Sequence, residues 1–277
     1  MVFLDGLSLT LTSVRKCIES EREFVEMIYS LLGGTLEHRE FGAKGYPYSS
    51  IIKYHYLDSV EESTVLFCYG SNNLGQYLNI EFKGRQTEFV RDHLLSCGVQ
   101  FRLTRADIAL DFQMDYLAAH AIAKEYAEQK GIATSLVGDW EQGINGRTYY
   151  IGKSRSGSES YIRLYEKGIE LRGRGFGAPL DLIRLEVEYK PKKYKRDSIK
   201  SLDAADLLAT ASYPLALFQN FMPLGIDANR ITTPPKKSFE DSLEHMITQY
   251  GSVLEQYIDT YGWIALREKI EAHICST

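Results

Sequence analysis

The chain is predicted to be an α+β protein. We expect a mainly antiparallel sheet with helices on one face and a functional site on the other, followed by a helical C-terminal region. Three observations carry that expectation. Strand-like and helix-like segments interleave through residues 1–200, with connections short enough for antiparallel neighbours. Four of the strand segments alternate apolar and charged residues, so each offers one face for packing and one bearing mixed charge. Beyond the basic run Lys190 to Arg196 only helical periodicity remains. The expected division is therefore 1–200 for the sheet domain and 201–277 for the helical region.

In chain order, residues 3–10 read as a strand, and Ile18 to Leu32 as a helix closed by Gly33 and Gly34. Segments 47–56, 64–69 and Tyr77 to Lys83 are rich in Tyr, Ile, Val and Phe and read as strands. Thr87 opens a helix that Gly98 closes. A long strand is expected over 101–112, a helix over Leu117 to Gln129, and strands over 147–152, 160–167 and 182–189. Residues 202–220 read as helical, and Pro234 and Pro235 mark a break. Ser238 then opens a helix whose stripe Phe239, Leu243, Met246, Tyr250, Leu254, Tyr257 and Tyr261 packs on its own domain or, less simply, on a second copy.

Hydrophobic content of 44% and charged content of 25% are globular values, which excludes disordered, collagenous and coiled-coil classes. No apolar run approaches the ~18–20 residues of a membrane span, so no membrane partner is expected. Asp5 sits within the first apolar segment and no basic residues precede it, so the N-terminus reads as a strand rather than a secretory signal. Cys17, Cys68, Cys97 and Cys275 lack metal or disulfide spacing, which fits reduced thiols in a cytoplasmic protein. The total charge of −5 argues against indiscriminate coating of nucleic acid. Residues 147–200 nevertheless hold 14 Lys and Arg against 7 Asp and Glu, a local +7 that points to one polyanion-facing surface.

The alternation locates the candidate chemistry. In FRLTRADIALDF, Arg105, Asp107, Ala109 and Asp111 share one face and Ala106, Ile108, Leu110 and Phe112 the other. Tyr161, Arg163, Tyr165 and Lys167 are expected to share a face, as are Arg184, Glu186 and Glu188, and Asn79, Glu81 and Lys83. A half-solvated sheet with salt-bridging side chains would look similar. Against that reading, Asp is depleted in strands, yet one strand carries two on one face with small Ala109 between them. Carboxylates gathered without matching histidines suit a hard cation, and Arg and Lys among them suit phosphate. Elsewhere the signals are weak. The GKS at Gly152 to Ser154 lacks a correctly placed upstream glycine, Gly173, Gly175 and Gly177 read as a loop, and the six histidines form no His-x-His pair.

TRADIALDF (Thr104 to Phe112), TYYIGKSRSGSESYIRLYEKGIE (Thr148 to Glu170) and IRLEVEYK (Ile183 to Lys190), in that order, resemble the motifs of the Rep_trans replication-initiation-factor family. That family includes initiators of rolling-circle plasmids and filamentous phages and relaxases of some conjugative elements. YLNIEFK resembles the strand before them, and FLDGLSLTL gives a weaker likeness. The resemblance implies a site-specific DNA endonuclease and strand transferase, active in rolling-circle replication initiation. Tyr165 would be the nucleophile, leaving a 5′-phosphotyrosine and a 3′-OH primer. Arg105, Arg163, Lys167 and Arg184 would be its charged neighbours. Asp107, Asp111, Glu186 and, less centrally, Glu188 would hold Mg²⁺ or Mn²⁺, with Glu81 and Glu188 otherwise positioning basic residues. Lys190, Lys192, Lys193, Lys195 and Arg196 are the expected phosphate contacts. Implied partners are origin DNA, single-stranded or extruded as a hairpin, a host helicase and polymerase, and a second copy of the chain. A relaxase with the same chemistry and a non-catalytic DNA-binding regulator are the alternatives.

Overall fold

The computed structural model describes residues 2–11, 21–39, 41–55, 62–70, 78–84, 86–153, 158–211, 213–222, 250–251 and 253–274. By contact it forms two compact units, Met1–Ile231 and Thr232–Thr277.

The first unit is built on one ten-stranded antiparallel sheet. Its strands are β1 (Phe3–Leu11), β2 (Thr35–Arg39), β3 (Tyr48–His55), β4 (Glu62–Tyr69), β5 (Asn79–Lys83), β6 (Phe101–Gln113), β7 (Thr134–Gly138), β8 (Arg147–Ile151), β9 (Ser160–Tyr165) and β10 (Leu182–Tyr189). The spatial order is β2-β3-β4-β5-β1-β6-β10-β9-β8-β7. Two meanders of sequence neighbours, β2 to β5 and β7 to β9, thus flank a central trio, β1, β6 and β10, drawn from distant parts of the chain.

Among the described residues six helices accompany the sheet: α1 (Glu21–Leu32), α2 (Thr87–Ser96), α3 (Tyr116–Gln129), α4 (Lys167–Gly173), α5 (Ala204–Thr210) and α6 (Pro214–Phe221). Apolar residues of α1, α2, α3, α5 and α6 join the inward residues of the strands in one core. Ala106, Ile108 and Leu110 of β6 and Ile183, Leu185, Val187 and Tyr189 of β10 face that core and are buried. The alternate residues form the opposite face, as the alternation requires.

Several expectations are corrected. Two edge strands, β2 and β7, go unrecognised because TLEHR and TSLVG are largely exposed and lack an alternating apolar face. The expected helix 202–220 is two helices. Pro214 cannot extend α5 and instead occupies the first turn of α6. Both pack into the core through Leu207, Leu208, Leu217 and Phe218, and the Thr210 hydroxyl donates to Tyr189 Oη at 3.2 Å. The boundary expected at residue 200 therefore falls inside the first compact unit. In the second unit, residues 253–261 and Trp263–Ile274 are helical, and the Tyr257 and Tyr261 rings meet at 4.9 Å. The expected helix start at Ser238 and the stripe from Phe239 to Met246 lie outside the described residues, as do Pro234 and Pro235. Among the described residues no helix is long and apolar enough to cross a membrane.

The strand expected over 160–167 ends at Tyr165, where the chain turns sharply into α4. Glu166 makes that turn. It is buried, and its carboxylate accepts from the backbone N–H of Arg147 at 2.7 Å and from that residue's guanidinium at 2.6 and 3.0 Å. Gly168 then lies so close to the 179–180 backbone that a Cβ would stand 1.9 Å from the Pro179 carbonyl oxygen. Backbone cannot swing aside as a side chain can. Gly168→Ala should therefore cost roughly 1–3 kcal/mol. Gly173→Ala, whose Cβ would meet nothing within 4 Å, should be neutral or slightly stabilising. Thermal unfolding followed by circular dichroism compares the two.

Candidate functional site

The site lies at the middle of the sheet, on the face away from the helices. Antiparallel register writes it in rows. Asp111 of β6 stands opposite Arg184 of β10, which stands opposite Tyr165 of β9, and Tyr165 opposite Thr148 of β8. The next row is Ala109, Glu186, Arg163 and Tyr150, and the one after it Asp107, Glu188 and Tyr161. The three sequence motifs are thus adjacent strands, and their alternate residues meet side by side.

Two bulges tune this face. On β1 the pairing jumps between Leu4 and Gly6, which leaves Asp5 as the extra residue; on β6 it jumps between Arg105 and Leu103, which leaves Thr104. Asp5 accepts from Arg184 Nη1 at 2.9 Å. Gly6 lies opposite Asp107, and a Cβ there would come within 2.9 Å of Asp107 Oδ2 and 3.1 Å of the Phe82 carbonyl. The weakly matching N-terminal motif therefore contributes a carboxylate and the clearance for another. Asp5 and Gly6 were missed as site residues; the available signal was a second strand interrupted by Asp and Gly.

The charges pair closely. Arg184, whose side chain is 5% exposed, donates to both oxygens of Asp111 at 2.6 and 2.8 Å. Arg105 binds both oxygens of Asp107 at 2.7 and 2.8 Å and reaches Glu188 at 2.9 Å, where Lys190 also arrives at 2.5 Å. Arg163 donates to Glu186 Oε1, and the Tyr165 hydroxyl donates to Glu186 Oε2 at 3.3 Å. Glu81 takes Ser8 Oγ at 2.9 Å and the ammonium of Lys44. Lys44 has a left-handed φ of 55°, rare for a side-chain-bearing residue, and no feature of the sequence singles it out.

Lys167 is not beside Tyr165 on a strand face, as expected. It is the first residue of α4, nearly buried, with its ammonium 3.3 Å from Glu170. The basic run also divides. Lys190, Lys192 and Lys193 are exposed. Lys195 is turned inward by a 3₁₀ turn at Lys193–Lys195 and holds Glu159 at 2.7 Å, while Arg196 is half-buried and donates to the Pro191 carbonyl at 3.1 Å. Burial and nearby Arg102 lower the pKa of Arg196.

Burial shapes the proton affinities. It raises the Tyr165 phenol far above its ordinary value, and Glu186 adds to the rise while Arg184 opposes it. Burial likewise raises Glu186 and Asp107. Asp107 pushes Glu186 further up, Glu188 does the same to Asp107, and Arg163 and Arg105 only partly offset this. On the other side of the Arg163–Glu186 pair, the guanidinium is held more firmly protonated. Both values rise, which disfavours the charged carboxylate but favours the charged guanidinium: Glu186 is buried, whereas the Arg163 side chain remains 34% exposed and loses less hydration.

Among the described residues, no group of three or more His, Cys, Asp or Glu side chains is arranged to hold a metal ion. Asp111 is bound on both oxygens by Arg184. Asp107, Glu186 and Glu188 are oxygen donors, the class a hard cation takes, but Arg105 occupies Asp107 and Glu188, and Arg163 occupies Glu186.

Comparison with known proteins adds little. No family model matches the chain, and no curated protein does. Among solved structures, a rolling circle replication initiator protein from Geobacillus stearothermophilus is similar at a TM-score of 0.48 and 16% identity, over 87% of this chain and 90% of that one. The Rep_trans resemblance thus rests on the sequence motifs.

Because its folded-state pKa is raised, Glu186 weakens the fold wherever it is ionised, and stability recovers as pH falls through that raised value towards the ordinary ~4.3. Glu186→Gln should therefore raise Tm at pH 7–8, by about 2–4 °C per kcal/mol relieved. Its advantage over wild type should shrink as pH approaches 4.5, which calorimetry across that range checks.

Proposed function

We propose that the protein is a rolling-circle replication initiator. It would nick and transfer a DNA strand through Tyr165, leaving a 5′-phosphotyrosine and a 3′-OH that primes synthesis. One observation carries this reading. A tyrosine hydroxyl donates to a buried carboxylate of raised proton affinity, Glu186, between Arg163 and Arg184 on a face lined with further acids.

In the step we envisage, Tyr165 Oη attacks phosphorus and its proton passes to Glu186 Oε2. The bond from phosphorus to the 3′-oxygen breaks, and that oxygen takes up a proton from solvent. One phosphoester replaces another, so the strand can be rejoined by the reverse reaction. A free phenol of pKa ≈ 10 is ionised only about one part in a thousand at pH 7, and burial makes Tyr165 harder still to ionise. Proton removal during attack, rather than a standing phenolate, suits that environment, and a carboxylate of raised pKa is the better base. Arg163 would stabilise charge building on the phosphoryl oxygens. Arg184, held by Asp111 and Asp5, would position Tyr165 across the strand.

The activity is proposed to need Mg²⁺ or Mn²⁺. Asp107 and Glu188 would hold the ion once Arg105 gives way, beside the proton acceptor Glu186, and it would supply further charge stabilisation to the phosphate. Exposed Lys190, Lys192 and Lys193 would contact phosphates of origin DNA, single-stranded or extruded, without reading sequence. A host polymerase and helicase follow from the 3′-OH product. A homodimer and a cytoplasmic location complete the reading. A relaxase of a conjugative element would use the same site.

Incubation of Tyr165→Phe with supercoiled origin plasmid should give no nicked circle and no covalent adduct, with Tm and DNA affinity near wild type. An adduct mapped by mass spectrometry to Tyr161 instead would overturn the assignment. Chelation should stop nicking by the wild type, and Mg²⁺ or Mn²⁺ should restore it. Asp107→Asn should raise the metal concentration needed by at least tenfold, about 1.4 kcal/mol, whereas unchanged nicking in excess chelator would remove the ion from the mechanism.

A further inference from the structure

Two tyrosine rings occupy the site face beyond the paired charges. Tyr150 lies opposite Arg163, and Tyr161 lies opposite Glu188. Their rings are nearly parallel, 12° apart with centroids at 5.3 Å. Both are half-buried, unlike Tyr149 of β8 and Tyr189 of the neighbouring β10, which point into the core. The hydroxyl of Tyr189 is engaged by Glu159 and Thr210, but neither Tyr150 nor Tyr161 has a hydrogen-bond partner among the described residues. A cross-strand aromatic pair can serve only to steady a hairpin. This one, however, is set among cations that reach solvent. Arg163 is adjacent, and Lys190, just past the end of β10, reaches Glu188, the residue opposite Tyr161.

We infer that Tyr150 and Tyr161 form a stacking platform for an unpaired nucleobase of the strand that Tyr165 cuts. Flat aromatic faces beside positive charge are what a single strand requires, since every base has a π face and every nucleotide a phosphate. Tyr161 and Tyr165 are four residues apart on one strand, about 13 Å, so the platform takes a base flanking the scissile phosphate rather than the one at it. Duplex DNA cannot reach the platform, because its bases are already stacked on each other. The inference rests on the proposed function for its strand but not on the identity of the nucleophile.

The test uses the full chain, a short oligo(dT) as probe, and an abasic strand of the same length and charge. Tyr150→Ala and Tyr161→Ala should each weaken oligo(dT) binding roughly 5- to 150-fold. Tyr150→Phe and Tyr161→Phe, which keep the ring, should bind like wild type, and the abasic strand should bind all five proteins equally. Tyr161→Leu keeps apolar bulk without an aromatic face and should behave like Tyr161→Ala, which covers the case of a misfolded alanine variant. Wild-type affinity in the Ala and Leu variants would overturn the platform, as would equal losses on the abasic strand. Binding repeated in a Tyr165→Phe background separates the two readings, since that variant abolishes the proposed nicking and leaves the platform intact.

Discussion

Arg184 lies buried on the site face, where its guanidinium takes both oxygens of Asp111 and one of Asp5 and so ties β10 to β6 and to β1. A buried cation without partners is costly, and truncating such a pair typically costs about 3–5 kcal/mol. The three strands therefore hold one register with respect to one another. A slip of one residue would turn Arg184, Glu186 and Glu188 into the apolar core and Ile183, Leu185 and Val187 out of it. The position of Tyr165 opposite Arg184, and its hydroxyl on Glu186, follow from that register.

The same face shows an unequal distribution of compensation. Arg184 with Asp111 is a closed, bidentate pair, and Arg105 with Asp107 repeats the form. Glu186 is different. It is buried, with a single guanidinium on one oxygen and a phenol on the other, and neither removes the strain that burial puts on its charge. A group left short of compensation holds a proton more readily, which is the property a base beside a phenol needs. Stability is given up at the position where the proposed chemistry occurs, while the surrounding pairs hold the face in shape.

The helical side does structural work for the site. Tyr116 of α3 donates to the Leu164 carbonyl at 3.2 Å, and Glu166 fastens the end of β9 to the start of β8. Tyr165 is thereby held between two backbone anchors, one on each side of it in sequence. The tight passage of Gly168 against Pro179 continues that restraint into α4. A side chain held in this way would need little reorganisation before the attack proposed for it.

The period-two alternation in three motifs determined which residues face away from the core, because side-chain direction in a strand is local geometry. Arg105, Asp107, Asp111, Tyr165, Arg184, Glu186 and Glu188 all lie on the face so assigned. Local rules did not extend to Lys167 or Lys195. The first lies past a turn fixed by Glu166 and Arg147, 19 residues apart in sequence, and the second is drawn inward by Glu159. Nor could they show Asp5 or Lys44 as members of the site, since both arrive through strand order: β1 inserted between β5 and β6, and a loop before β3 reaching β5. The edge strands β2 and β7 carry no apolar face and so leave no periodic trace. Sequence by itself determined the composition of each face of each strand, since that depends on residues two apart. Only the tertiary structure decided which strands lie side by side, and hence which acid meets which base, because that is set by packing between segments 19 to 179 residues apart.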